Sequence, residues 1–199
     1  MRDLEPELAL VERLRQGENE AFTEFYREYA PQVLAWAIRL GGPLVDAEDV
    51  AQDVFSVALS RIHTFRGESR LTTWLYSVTR NVIANARRRA TVRRWIGLST
   101  IEEPASPQGS IDDEVSRRYQ RRLVQEALET LSAKHREVIV LMDLEGRTAP
   151  EAAEMTGIAP GTLYSRLHYA RRALMKVLSR RGLEAEDLLP GVPVGGRPQ

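Results

Sequence analysis

Apolar residues recur at intervals of three and four along most of the chain, and the two-residue alternation of a half-buried strand is almost absent. Intervals of three and four place side chains on one face of an α-helix. Only 10 Pro and 13 Gly interrupt the pattern in 199 residues, which is too few for a largely disordered chain. The sequence therefore predicts an all-α fold built from short amphipathic helices.

Turn and capping signals divide the N-terminal half into five predicted helices, over 7–16, 19–30, 31–40, about 46–62 and 71–89. Gly17 is a stop signal, and Pro31 is a residue favoured at a first helical position. Asp46 and Ser69 are the expected N-caps of the last two helices. The remaining stretch, 63–70, contains a glycine and is predicted to be a loop.

One apolar face of each of these helices is assigned to the core. In the second helix it is aromatic, formed by Phe22, Phe25, Tyr26 and Tyr29. In the fourth and fifth helices it is formed by Val50, Val54, Val57, Ala58, Leu71, Trp74, Leu75, Val78 and Val82. Because both sets recur at helical spacing, core packing is the ordinary explanation for them.

Periodicity is lost between residues 96 and 110, where Pro, Ser, Gly and acids accumulate, and this composition predicts a flexible acidic linker. Further helices are predicted over 111–131, 133–144, 149–156 and 160–180. We therefore expect two small helical domains, 1–95 and 117–182, joined by a linker over 96–116. A tail over 183–199, rich in Pro and Gly, is predicted to be disordered.

The chain has a formal net charge of zero, because 28 Lys and Arg balance 28 Asp and Glu. This balance hides segments of opposite sign. Residues 1–60 carry −7 (5 basic, 12 acidic), 61–99 carry +8 (9 and 1), 100–116 carry −5 (no base, 5 acids) and 117–199 carry +4 (14 and 10). Two segments can therefore face nucleic acid although the whole chain is neutral.

Residues 148–167 contain the most specific local pattern, that of a helix-turn-helix. Thr148 and Glu151 have capping-box spacing, Gly157 suits the left-handed turn position, and Pro160 begins a second helix. This second helix is basic, with no acid between residues 159 and 181. Short polar residues near its start would meet base edges and its cations would meet phosphates. The alternative is a basic helix that is merely solvated, and the helix-turn-helix pattern that precedes this helix disfavours it.

The predicted helix 71–89 presents a second surface of this kind. Opposite its apolar stripe lie Thr73, Ser77, Arg80, Asn81, Asn85, Arg87 and Arg88. Arginine binds phosphates and asparagine reads base edges, while nearby aromatics can stack on unpaired bases. The glycine-containing loop before the helix could hold a base swung out of the duplex. Core packing of Trp74 and Tyr76, and a solvated basic helix end, are the alternatives.

The predicted helix 46–62 carries acids opposite its valine stripe. Asp49 and Asp53 lie one turn apart with Gln52 beside them. A protein partner with a basic surface would explain this face, and so would capping and solvated acids near a helix N-terminus. The residues alone favour neither explanation.

Several classes of protein are disfavoured by what the sequence lacks. There is no Cys, and the three His are isolated, so neither a disulfide scaffold nor a metal site is expected. No phosphate-binding loop or catalytic constellation is found, so we expect neither an enzyme nor a cofactor. Without a signal peptide or a long apolar run, a cytoplasmic chain with no direct membrane insertion is expected.

Taken in order, the motifs resemble those of bacterial RNA polymerase sigma factors of the small, extracytoplasmic-function (ECF) type. In the first domain they are Asp46-Ala-Glu-Asp-Val-Ala-Gln-Asp-Val-Phe55, Phe65-Arg-Gly-Glu-Ser69, Thr73-Trp-Leu-Tyr76, Arg80-Asn81 and Arg87-Arg-Arg89. In the second they are His135-Arg-Glu-Val138, Asp143-Leu-Glu-Gly146 and Gly161-Thr-Leu-Tyr-Ser-Arg-Leu-His-Tyr-Ala-Arg-Arg-Ala-Leu174. The resemblance covers residues 8 to about 180. It departs from the family pattern at Tyr164, where Lys is usual, and at Ala149-Pro150.

The resemblance implies a non-enzymatic initiation subunit that directs core RNA polymerase to promoters. Polymerase-binding residues, on the clamp of the largest subunit, would be Asp49, Gln52, Asp53 and Phe55. Residues that open and hold the downstream (minus-ten) element would be Phe65, Arg66, Gly67, Ser69, Thr73, Trp74, Tyr76, Ser77, Arg80, Asn81, Asn85, Arg87 and Arg88. Residues that bind the upstream (minus-thirty-five) duplex would be Thr148, Pro160, Gly161, Thr162, Tyr164, Ser165, Arg166, His168, Arg171 and Arg172.

An anti-sigma protein is the usual regulator in this family and is the further partner that the resemblance implies. A free-standing helix-turn-helix regulator is the alternative function, for which the C-terminal domain alone would suffice. A second, different nucleic-acid surface and the lack of an obvious ligand-sensing domain favour the sigma factor.

Overall fold

The computed structural model describes residues 4–96 and 122–180, and these contain helices and no strand, so the all-α prediction is confirmed. They form two compact units, of which the first contains the described residues up to Val92 together with Ala153–Gly157, and the second contains the other described residues from Arg93 onward. The predicted linker beyond residue 96, the start of the helix at 111–131 and the tail lie outside the described residues. Within the described ranges, no helix is long and apolar enough to cross a membrane.

The first unit is built from four α-helices. They are α1 (Glu5–Arg15), α2 (Asn19–Trp36), α3 (Ala47–Arg61) and α4 (Leu71–Trp95). Helix α2 packs against both α1 and α3. Asp46 caps α3 as predicted, because its Oδ1 accepts hydrogen bonds from the backbone N–H groups of Glu48 (2.8 Å) and Asp49 (2.9 Å). Helix α4 extends six residues beyond its predicted end at residue 89.

The predicted helix boundary at Pro31 is wrong. Helix α2 runs through this proline and continues as a π-helical segment, Ala37–Gly41, up to Gly42, whose φ of +68° ends it. An interior proline costs a helix about 3 kcal/mol. The helix continues here because Val33 and Trp36, both fully buried, extend the apolar stripe that precedes the proline. Tertiary packing outweighs the local cost.

The second unit contains α5 (122–129), α6 (Ala133–Val138), the first four residues of α7 (Ala149–Thr156) and α8 (Pro160–Ser179). Helix α6 continues as a π-helical segment, Ile139–Leu144, and packs against α8. The predicted core residues of α8, Leu163, Leu167 and Leu174, are buried.

A buried cation joins α5 to α6. Arg136 is 3% exposed, and its Nε donates to the Leu128 carbonyl (2.9 Å) while Nη2 donates to the Leu131 carbonyl (3.3 Å). Its Nη1 also pairs with Glu129 Oε1 at 2.8 Å. The last carbonyls of a helix lack intrahelical partners, so the Arg136 guanidinium supplies the hydrogen bonds that the end of α5 needs. Its positive charge also interacts favourably with the negative end of the helix dipole.

Candidate functional site

The helix-turn-helix has the local geometry that its sequence predicts. Thr148 and Glu151 form a capping box, in which Glu151 Oε2 accepts from the Thr148 N–H (2.8 Å) and Thr148 Oγ1 accepts from the Glu151 N–H (3.4 Å). Gly157 adopts a φ of +73° in the turn. Pro160 is the first residue of α8. These signals act over a few residues, which explains why the sequence predicts them well.

One face of α8 is open to solvent along its N-terminal half. The exposed residues among the predicted duplex-binding set are Thr148, Pro160, Gly161, Thr162, Tyr164, Ser165, His168 and Arg172, and Arg166 is half-buried. Tyr164 is 60% exposed and therefore does not pack into the core. A helix with a polar, partly aromatic start and an exposed arginine two turns later can present side chains to a groove and to a phosphate.

Arg171, which the sequence assigns to the upstream duplex, is already bound to a carboxylate within the protein. Its guanidinium is bound bidentately by Asp143, with Nε–Oδ2 at 3.0 Å and Nη2–Oδ1 at 2.5 Å. The Asp143 side chain is 1% exposed. Hydrogen bonding to this carboxylate raises the pKa of Arg171, which stays charged. This side chain ties α8 to the π-helical segment before α7, and its predicted phosphate contact stays a prediction that would have to share the guanidinium with Asp143.

Helix α4 presents the predicted polar face. Arg66, Arg80, Asn81, Asn85 and Arg88 are exposed, and Gly67, Ser69, Thr73, Trp74 and Ser77 are half-buried. Arg88 donates from Nη2 to Asn85 Oδ1 at 2.5 Å, which aligns two of the predicted contact residues one turn apart. The preceding loop and α4 thus bring guanidinium and amide groups onto one continuous surface.

Two aromatic residues predicted to contact the downstream DNA are buried instead. Phe65 is 2% exposed and packs edge-on against Trp74, with ring centroids 5.9 Å apart. Tyr76 is fully buried against Trp36, with centroids 5.0 Å apart. Both side chains belong to the core, and Trp74 is the aromatic that remains partly accessible.

Arg87 is also directed inward. Its Nη1 donates to the carbonyls of Gly41 (2.5 Å) and Leu40 (3.5 Å), which end the π-helical extension of α2. The cation satisfies acceptors that a helix terminus leaves open. The assignment of Arg87 to DNA stays a prediction, because the side chain is half-buried and bound to these carbonyls, whereas Arg88 is exposed.

The acidic residues of α3 form an exposed face, with Asp49, Gln52 and Asp53 all open to solvent. Asp53 lies 3.6 Å from Arg89 Nη2 in a pair that is more than half exposed. Phe55, predicted to bind the polymerase, is 3% exposed and packs on Phe25. It can shape the neighbouring surface but offers little side-chain area to a partner.

Beside the acidic face lies an apolar groove between α2 and α3 that sequence reasoning missed. It encloses about 950 Å³. Phe22 and Tyr26, predicted to be core, are 40% and 49% exposed along it. They lie at the edge of the aromatic stripe, and spacing alone does not distinguish the edge of a stripe from its centre. The lining residues are Phe22, Tyr26, Ala30, Pro31, Leu34, Glu48, Ala51, Gln52, Phe55, Ser56 and Leu59.

The other half of the aromatic stripe is core, as predicted. Phe25 and Tyr29 are buried. Burial, with a contribution from the charge of Glu28, raises the pKa of the Tyr29 phenol, which stays protonated at physiological pH. In the described ranges no group of three or more His, Asp or Glu side chains could hold a metal ion.

Comparison with known families matches both units. The family described as Sigma-70 region 2 matches residues 25–93, which include α3, the 63–70 loop and most of α4. The family described as Sigma-70 region 4 matches residues 121–174, which include the helix-turn-helix.

Individual relatives agree with these matches over most of the chain. The ECF RNA polymerase sigma factor SigL of Mycobacterium tuberculosis is 35% identical over 177 residues, covering 88% of this chain and 99% of that protein. The ECF RNA polymerase sigma factor SigW of Bacillus subtilis is 27% identical, covering 84% and 94%.

Solved structures of related proteins share the fold. CnrH in complex with the cytosolic domain of CnrY superposes with a TM-score of 0.61 at 26% identity, covering 86% of this chain and 96% of that one. The sigma factor RpoE in complex with the anti-sigma factor NepR from Bartonella quintana gives 0.57 at 30% identity, covering 79% and 96%.

Proposed function

The chain belongs to the ECF RNA polymerase sigma factors, and we propose that its promoter-specific function is divided among three separate surfaces. One binds core polymerase, one opens and holds the downstream promoter element, and one binds the upstream element as duplex. The observation that carries this proposal is that two basic surfaces of different design lie on α4 and α8, each within a matched sigma region. A free-standing regulator needs only one of them.

The downstream surface consists of the 63–70 loop and the exposed face of α4. Arg66, Arg80 and Arg88 supply cations for phosphates, while Asn81 and Asn85 supply donors and acceptors for bases. Trp74, half-buried beside the loop, offers an aromatic face to an unpaired base. This combination suits a strand that is already separated, because every base has a face that can stack.

The upstream surface is the exposed start of α8. Thr162, Tyr164 and Ser165 lie where a recognition helix meets base edges. Arg172, also exposed, lies two turns after Ser165 and is placed for a phosphate. The tyrosine where most of the family has lysine replaces a cation with a ring that can contact a thymine methyl group. We therefore expect the upstream preference of this chain to differ from that of lysine-bearing relatives.

The polymerase surface combines the acidic face of α3 with the groove between α2 and α3. Asp49 and Asp53 offer charge to a basic partner, and Phe22 and Tyr26 offer apolar area beside it. A charged rim around an apolar centre is the usual anatomy of a protein interface. The largest-subunit clamp of core polymerase, in the cytoplasm, is the partner that we assign to this surface.

Two further parts of the proposal concern regulation and chemistry. Solved structures of related sigma factors contain bound partners, the cytosolic domain of CnrY and the anti-sigma factor NepR. We assign an anti-sigma protein to this chain on the same basis. The chain itself supplies binding and positioning and no bond chemistry.

Run-off transcription tests the function directly. Core polymerase with the purified chain should initiate from the DNA upstream of the chain's own gene, and core polymerase alone should not. The chain alone should bind the same duplex weakly, because its acidic first segment opposes DNA until polymerase covers it. Tight, sequence-specific duplex binding without polymerase, together with no initiation, would instead support a free-standing regulator.

A second prediction concerns Arg172. Replacing it with alanine should weaken holoenzyme binding to all promoters alike and reduce the slope of log K against log salt concentration by about 0.9, one phosphate contact. Arg122→Ala is the matched control, because Arg122 is also exposed in the second unit but lies on α5, paired with Glu126. Titration between 50 and 200 mM salt, roughly the range over which such slopes are resolved, measures both. A change confined to one base position would contradict a phosphate role.

A further inference from the structure

Ile62–Thr64 form a short 3₁₀ turn, so the loop that precedes α4 is 65–70, and helix α1 contacts both of its ends. Arg15 Nη2 donates to the Phe65 carbonyl at 2.6 Å, at the start of the loop. The Leu71 backbone N–H, at its end, donates to Glu7 Oε2, also at 2.6 Å. Glu7 and Arg15 are eight residues apart, about 12 Å along a helix. One straight element thus spans the loop and fixes both of its ends.

The middle of the loop also meets α1. Gly67 has a φ of +73°, which favours glycine, and a Cβ built on it would lie 2.8 Å from Leu8 Cδ2. The loop backbone therefore lies directly against the side chain that follows Glu7. Together the three contacts hold residues 65–71 on α1 at the start, the middle and the end.

The contact at Glu7 replaces the cap that the sequence predicts. Ser69 was expected to cap α4, but its Oγ lies 3.4 Å from the Arg70 carbonyl and satisfies no N–H of the first turn. A backbone N–H in a first helical turn has no intrahelical partner, and a carboxylate there is also stabilised by the helix dipole. Glu7 supplies both effects from a helix 64 residues away in sequence. The start of α4 therefore depends on α1.

We propose that α1 is a brace for downstream promoter opening, with Glu7 and Arg15 as positioning residues that hold the 65–70 loop in the shape that receives an unpaired base. The proposal rests on the sigma-factor function proposed above. Extracting a base from a duplex costs a few kcal/mol, which a pocket recovers only if it is already shaped. A loop that had to order itself on binding would lose that benefit.

The test compares open-complex formation by holoenzymes that carry single substitutions in α1. Glu7→Ala and Arg15→Ala should each lower the equilibrium constant for open-complex formation about tenfold, which is the effect of losing one hydrogen bond to a charged group. Glu7→Gln keeps an acceptor and Arg15→Lys keeps a donor, so both should restore most of the loss. Permanganate reactivity of unpaired thymines in the downstream element measures opening.

Arg13→Ala separates the brace from a general loosening of α1. Arg13 pairs with Glu18 at 2.9 Å and with Glu24 of α2 at 2.8 Å, and within residues 4–96 it forms no hydrogen bond to the loop. Its loss should loosen the packing of α1 on α2 and lower the melting temperature, while opening stays near the wild-type value. If Arg13→Ala impairs opening as strongly as Glu7→Ala, the brace is wrong and α1 is only a structural helix.

Base preference gives a readout that stability alone would not change. Across promoters carrying each of the four bases at the unpaired position, Glu7→Ala and Arg15→Ala should discriminate less than wild type, whereas Arg13→Ala should discriminate equally well. Unchanged opening and discrimination in both loop-contact variants would overturn the brace while wild-type holoenzyme still opens the promoter. If wild-type holoenzyme opens no promoter, it is the sigma-factor function itself that fails.

Discussion

Replacing Arg171 with alanine is expected to lower the free energy of unfolding of the second unit by about 3 kcal/mol. The substitution leaves the Asp143 carboxylate, 1% exposed, without the guanidinium that holds both of its oxygens. Removing one partner of a buried ion pair costs about 3–5 kcal/mol, and the lower end applies because the Arg171 side chain is 32% exposed. The loss should appear as early melting of α8 and the segment before α7.

Spectroscopy can assign this loss to the second unit in the intact protein. Of the three tryptophans, Trp36 and Trp74 lie in the first unit, and Trp36 is fully buried. Trp95 lies beyond the boundary at Val92, but it is 88% exposed in the folded protein, so its emission should change little on unfolding. In a urea titration of Arg171→Ala, the loss of helical circular dichroism should begin at lower urea, while the tryptophan fluorescence transition should not move.

A double-mutant cycle distinguishes a paired charge from lost packing. Asp143→Asn combined with Arg171→Met should be more stable than the sum of the two single changes predicts, because no charge remains buried alone. Arg172→Ala, one residue further on and exposed, should leave both transitions in place. If the two single changes in the free energy of unfolding add up to that of the double variant, Arg171 stabilises the unit through the packing of its methylenes, and its ion pair with Asp143 contributes nothing.

Arg171 and Arg172 illustrate how far the sequence predicts this molecule. The caps at Asp46 and Thr148 were predicted correctly because their partners are close in sequence, as between Thr148 and Glu151, three residues apart. Arg171 binds a residue 28 positions away, and no local spacing distinguishes it from Arg172. Periodicity identifies which helix is basic, and only tertiary structure identifies which of its cations is already bound.

The first unit repeats this lesson at greater sequence distance. Arg87 caps the end of α2 from 46 residues away, and Glu7 caps α4 from 64. The sequence suggested a different role for Arg87, DNA binding, and a nearer cap for α4, Ser69. The polar groups that end helices are satisfied by whichever side chain the fold brings there, so roles assigned from spacing are least reliable at helix ends.

The balance of charge has a functional meaning once the surfaces are separated. Asp49 and Asp53 are exposed on α3, whereas the exposed cations Arg80 and Arg88 belong to α4. Under the function proposed above, acids that repel DNA on one helix and cations that attract it on another would make DNA binding conditional, since a partner that covers the acids removes the repulsion. A chain with only the basic surfaces would bind any duplex.

Charge reversal on α3 tests that dependence, and its effect on partner binding should be the largest of any change considered. Asp49→Lys with Asp53→Lys should weaken binding to core polymerase more than about 100-fold, because like charges across an interface cost several kcal/mol and each 1.4 kcal/mol is tenfold. The fold should survive. A lysine in the first helical turn costs about 0.3–1 kcal/mol, and the exposed Asp53–Arg89 pair contributes about 0–1 kcal/mol. Circular dichroism and competition binding to core polymerase measure the two effects.

The matched control reverses two acids on the opposite side of α2, Glu20 and Glu28. They lie two residues before Phe22 and two after Tyr26, about 200° around the helix from the groove that these aromatics line. Because Glu20→Lys with Glu28→Lys makes the same change in net charge, equal weakening by both pairs would indicate a long-range field rather than a docking face. Selective weakening by the α3 pair would locate the polymerase contact beside the groove. Full binding by both variants with native helicity would mean that the acids of α3 only cap and solvate their helix.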